Sequence, residues 1–132
     1  MQSAIALYIF VVALVYNTVL RGLVALEGWS YFLDNMVHVV NPILYIFYWI
    51  FFRTSGTLKW KDGIIWALFP LVYLIYSLIR GSVVNWYPYP FLNAQKLGYD
   101  KVAVNSVGVL AVFLVGGFIV IMITRAVSAS KV

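Results

Sequence analysis

Cysteine is absent from this chain, which excludes a disulfide framework and any thiolate metal site. Charge is scarce as well. Charged residues make up 10% of the 132 positions, against about 25% in an ordinary soluble domain. Four residues are acidic and one is a histidine, so a lone imidazole falls short of a metal-ligand set. There is no internal repeat and no low-complexity stretch, and nothing in the sequence implies a cofactor. What the chain has instead is apolar bulk: 64% of its residues are hydrophobic, the balance of a membrane protein. A net charge of +5 could suggest nucleic acid in a soluble protein. Here the basic residues cluster at the ends of apolar segments and read as topology determinants and lipid-headgroup contacts. Membrane lipids are therefore the expected partners, and nucleic acid is not.

Four segments approach the roughly 20 apolar residues that a bilayer requires: residues 4–26, 36–52, 64–80 and 102–124. The second contains ten Leu, Ile, Val or Phe residues. At about −0.3 to −0.6 kcal/mol each they outweigh His38, Asn41 and Pro42. The first segment lacks the basic start and small-residue cleavage site of a signal peptide. The expected fold is an all-α integral membrane four-helix bundle, a single domain over residues 1–132. Four antiparallel spans put both termini on one side. Lys and Arg then divide five to four, with Arg53, Lys59, Lys61, Arg125 and Lys131 on the terminal side. This leans toward cytoplasmic termini in the plasma membrane.

The polar residues of the spans are unevenly spread. Asn17, Thr18, Arg21, His38, Asn41, Ser77, Arg80, Asn105 and Ser106 all fall toward the side of the loop at residues 81–101. Such a layer reads either as a small pocket open to that face, or as helix-packing hydrogen bonds with Arg21 and Arg80 snorkelling to headgroups. His38 sits in the first turns of the second segment, with Asp34 or Asn35 placed to cap that helix. It is a candidate general base, and equally a histidine bonded to a backbone carbonyl. Asn41, Pro42 and Tyr45 share its face by helical spacing. Thr18 is a weak nucleophile candidate, because no acid is seen to orient the base and a span threonine usually bonds its own backbone. Trp66, Pro70, Tyr73, Ser77 and Arg80 form one helical stripe ending in an anion-capable guanidinium, or in a simple interfacial anchor. Ser77, Arg80, Asn41 and Asn105 are the candidate ligand contacts. Gly108, Gly116 and Gly117 suit close helix approach only. No metal site is expected.

Between the last two segments runs Arg80-Gly81-Ser82-Val83-Val84-Asn85-Trp86-Tyr87-Pro88-Tyr89-Pro90-Phe91. Its alternating prolines stiffen an extended backbone. Trp86, Tyr87 and Tyr89 thereby become candidate ligand contacts on a loop expected to fold back as a lid. Trp29, Tyr31, Trp60 and Tyr99 read as aromatic-belt residues.

The ordered set His38-x-x-x-Pro42, Trp49, Trp66-x-x-x-Pro70-x-x-Tyr73, Arg80-Gly81, Trp86-Tyr87-Pro88-Tyr89-Pro90-Phe91-Leu92 and Gly98-Tyr99 resembles the prokaryotic branch of the androgen-induced-protein-like family of six-span membrane proteins. Animal members of that family hydrolyse fatty acid esters of hydroxy fatty acids, with a threonine nucleophile and a histidine. The resemblance places that histidine at His38, starts this chain at the family's third span, and leaves the threonine in a preceding span. Tyr48 and Asn93 stand where relatives often carry acids. The implied function is a lipid or fatty-acid-ester hydrolase, or a shortened relative of one. The rival readings are a non-catalytic lipid-binding or scaffolding protein and, last, a small transporter subunit. A homo-oligomer, or a partner supplying further spans, is compatible with each.

Overall fold

The apolar segments have one way to satisfy their main chain in a bilayer without pairing strands, which is to bond it within helices. The computed structural model describes residues 1–53 and 58–129, with side chains through Val127; Lys131 of the charge count lies outside the described residues. The chain is all-α, as expected. Among the described residues four helices are long and apolar enough to cross a membrane, which makes this an integral membrane protein. They are α1 (Gln2–Leu20), α2 (Gly28–Phe52), α3 (Trp60–Val84) and, after the short helix α4 (Ala94–Leu97), α5 (Tyr99–Ala129).

Several boundaries differ from the sequence expectation, three of them around the polar residues. Helix α1 stops at Leu20, and Arg21 is already extended with ψ 128°. Arg21 is thus beyond the helix rather than embedded in it. Helix α2 begins at Gly28, eight residues before the expected start, because Gly28–Asn35 is polar enough to read as a loop yet continues straight into the apolar run. Helix α3 extends to Val84 and runs unbroken through Pro70, so the loop shortens to residues 85–98.

The chain forms two compact units, residues 1–58 with 119–132, and residues 59–118. In the first, α1 and α2 pair antiparallel. Near one end Trp49 donates its indole N–H to Ser3 Oγ at 3.1 Å. Toward the other, Asn17 donates to the His38 carbonyl at 2.9 Å. Ala6, Leu7, Val11, Pro42 and Trp49 are buried apolar side chains of this hairpin. Both helices change register to π-helix partway, at Tyr16–Leu20 and at Met36–Val40. The second π turn ends two residues before Pro42, whose ring clashes with the carbonyl four residues back in a regular α-helix.

In the second unit Asp62 accepts from the Lys59 N–H at 2.7 Å and starts α3. Asn85 ends it in the left-handed conformation, φ 57°. The loop then folds down on its own helices. Tyr87, Leu92, Ala94 and Val102 form a buried cluster, with Leu74, Leu78, Tyr89, Phe91 and Leu97 packed against it. Asn105 donates to the Phe91 carbonyl at 3.0 Å, and the Asn93 side chain accepts from the Lys96 N–H to start α4. Gly81 is what lets Tyr87 in: a Cβ there would lie 2.2 Å from the Tyr87 ring.

Substituting Gly81→Ala should therefore lower stability by about 1–3 kcal/mol through overpacking, although alanine is the better helix former. Denaturant titration in detergent checks this. Tyr87→Leu in the same chain should recover most of the loss, and a Gly81→Ala protein as stable as wild type would contradict the packing.

Candidate functional site

Pro42 has no N–H to give the His38 carbonyl, the partner of that position in an α-helix. Asn17 supplies the bond from the neighbouring helix, donating at 2.9 Å, and donates also to the Ala13 carbonyl at 2.8 Å. That bond fixes the α1 π turn against the α2 π turn. The adjacent Tyr16 is thereby laid flat on the imidazole, with ring centroids 3.6 Å apart and planes within 9°.

One helical turn before His38 stands Asp34. Its carboxylate Oδ1 lies 2.9 Å from His38 Nδ1 and also accepts the Tyr16 hydroxyl. A carboxylate can only accept, so Nδ1 carries the proton. The Asp34 carbonyl lies within 3.2 Å of the same nitrogen and holds the ring further in place. No described hydrogen bond occupies Nε2, and the His38 side chain is 26% exposed against 10% for Asp34. The opposite side of the cluster is Arg21. It donates to Asn17 Oδ1 at 2.6 Å and to Asn35 Oδ1, while Asn35 donates to the Tyr31 carbonyl at 2.8 Å. Six residues thus converge at the end of the hairpin joined by residues 21–27: Tyr16, Asn17, Arg21, Asp34, Asn35 and His38.

This corrects two expectations. Neither Asp34 nor Asn35 caps a helix, since α2 has already run two turns before them. And an acid does orient the histidine. Asp34 escaped notice because the helix start was placed after it. The aspartate four residues before the lone histidine was the available signal. Tyr16, one aromatic among many, gave none.

The remaining candidates fall outside the cluster. The Thr18 hydroxyl donates to its own Leu14 carbonyl at 2.7 Å and is exposed. Asn41 is exposed. Ser106 bonds Val102 of its own helix. In the second unit the Arg80 guanidinium lies 5.0 Å from the centroid of the Trp86 ring, a cation–π pair. Trp86 is 57% exposed whereas Tyr87 is buried, so the loop aromatics divide between surface and core. Tyr89 stacks on Phe91 at 5.2 Å and meets Tyr73 edge-on. Burial first, and then the Tyr73 phenol, hold the Tyr89 hydroxyl above the ordinary tyrosine range, so it stays neutral. Ser77 is buried with no hydrogen-bond partner for its hydroxyl among the described residues.

Two stability measurements test this geometry. Asn17→Leu takes this donor from the His38 carbonyl and should cost about 1–3 kcal/mol, above the ~0.6 kcal/mol of an average interhelical bond in a membrane. Adding Pro42→Ala restores a local donor and should recover part of that cost; no recovery would separate Asn17 from Pro42. Ser77→Ala removes an unbonded hydroxyl and should leave the unfolding midpoint unchanged or raised. Comparison with protein-family models, characterised proteins and solved structures finds no match, so the cluster's own geometry is what carries a functional reading.

Proposed function

We propose that the protein hydrolyses lipid esters at the edge of the hydrophobic layer, with His38 as general base and water as nucleophile. The supporting observation is the 2.9 Å contact between Asp34 Oδ1 and His38 Nδ1. With Nδ1 donating to the carboxylate, Nε2 is left as the basic nitrogen of the ring. That is the division of labour by which an acid fixes the tautomer of a catalytic imidazole. Nε2 takes a proton from water as the water oxygen attacks the ester carbonyl. The ester C–O bond then breaks, and the imidazolium returns the proton to the leaving alkoxide, giving an acid and an alcohol. Asp34 stabilises the imidazolium that forms between the two transfers. The Tyr16 hydroxyl, bonded to the same carboxylate oxygen, keeps that oxygen in line.

Water is favoured over Thr18 because the Thr18 hydroxyl is turned to the Leu14 carbonyl. The ester class comes from the resemblance carried by His38, Pro42 and the Arg80–Leu92 run. The same reading puts both termini on the cytoplasmic face of the plasma membrane, following the five-to-four bias of basic residues. Lipid binding without turnover is the second reading, and it too has an observation behind it: no side-chain hydroxyl among the described residues is bonded to Nε2.

Purified protein in detergent should release chromophore from a long-chain p-nitrophenyl ester. His38→Ala should reduce the rate to background. Asp34→Asn, which disturbs the tautomer, should lower it about 10²–10⁴-fold, while Thr18→Val leaves it unchanged. Equal turnover by wild type and His38→Ala would rule out hydrolysis at this site.

A further inference from the structure

The same cluster holds a positive charge that no carboxylate answers. Asp34 is paired with His38. Arg21 instead donates its two arms to Asn17 Oδ1 and Asn35 Oδ1, and both acceptors are neutral amides. Each amide is anchored in turn, Asn17 on the Ala13 and His38 carbonyls and Asn35 on the Tyr31 carbonyl. The guanidinium is therefore clamped from two helices while keeping its full charge. It uses two of five N–H donors and is exposed. It stands directly after the last turn of a membrane-crossing helix, the depth of lipid headgroups. An arginine that merely snorkels has no need of two fixed acceptors, because immobilising the side chain costs rotamer entropy. Prepaying that cost is what raises the affinity of a binding site.

We infer that Arg21, clamped by Asn17 and Asn35, binds the oxyanion head of an amphiphile, a phosphate or a carboxylate. Asn17 bonds both Arg21 and the His38 carbonyl, which ties the anion site to the residue that carries the proposed base. This rests on the hydrolase reading only for its consequence: the ester substrate carries an anionic group near the scissile bond. The binding itself does not depend on turnover. Arg80, the anion donor favoured by sequence, is held differently, over the Trp86 ring, and belongs to the second unit.

The experiment is native mass spectrometry of the full chain in detergent, titrated separately with phosphatidic acid, palmitate and zwitterionic phosphatidylcholine. Wild type should retain both anionic amphiphiles in preference to phosphatidylcholine. Arg21→Gln should weaken that retention at least tenfold, and Arg21→Lys, which keeps charge but loses the fork, should fall between them. Arg80→Gln should retain the anionic amphiphiles like wild type. If inorganic phosphate at millimolar concentration displaces them, the site reads the free anion; if it does not, the apolar tail is part of the ligand, and either result keeps the anion site. Retention by Arg21→Gln equal to wild type, or loss in Arg80→Gln alone, would overturn the assignment. Anion binding by a chain that shows no esterase activity would end the hydrolase reading and leave Arg21 as the anion site.

Discussion

One missing N–H organises the first unit. In a bilayer every main-chain carbonyl has to find a donor within the protein, and Pro42 withholds the one that His38 would receive in an α-helix. Asn17 answers from α1. From that bond follow the apposition of the two π turns, the stacking of Tyr16 on His38 and the reach of Tyr16 to Asp34. π turns are frequent at functional sites; one of these two closes α1 and the other lies within α2. Here the two face each other. The polar cluster is thus a consequence of backbone satisfaction as much as of side-chain chemistry.

The second unit obeys a steric rule in place of a hydrogen-bonding one. Gly81 leaves the space that the Tyr87 ring fills, and this contact pins the loop to α3, while Asn105 pins it to α5 through the Phe91 carbonyl. The Arg80-Gly81 pair therefore has two separate physical meanings. The glycine admits a ring to the core, and the arginine holds the preceding ring, Trp86, at the surface. Prolines 88 and 90 stiffen the chain between them.

Much of this was legible in the sequence for a simple reason. Polar side chains stand out against an apolar background, so Asn17, Arg21 and His38 were visible as a layer. Helix class and number followed from length and hydropathy alone. The start of α2 was not legible, because the polarity of Gly28–Asn35 imitates a loop; that error concealed Asp34 as the partner of His38 and cast it as a cap. Tyr16 was beyond reach for another reason. Its role depends on a change of helical register, which hydrophobic periodicity does not report. Conversely, Thr18 stood in the polar layer by position, but its hydroxyl found the carbonyl one turn back, the common resting place of a span threonine.

The charges of the cluster carry an energetic cost that shapes how they are paired. Holding a largely buried carboxylate costs several kcal/mol unless its lone pairs are satisfied, and a neutral amide in place of Asp34 could accept the same hydroxyl with less desolvation. An ionisable pair at the end of a membrane helix is what a proton-transferring or ligand-binding site requires. The cluster also keeps its two full charges from cancelling. Asp34 is engaged by Tyr16 and His38, while Arg21 is engaged by Asn17 and Asn35. Had Arg21 and Asp34 paired, the acid would no longer set the imidazole tautomer, and the guanidinium would no longer be available to an anion. The two asparagines take up the guanidinium, and the carboxylate is left to the imidazole and the phenol.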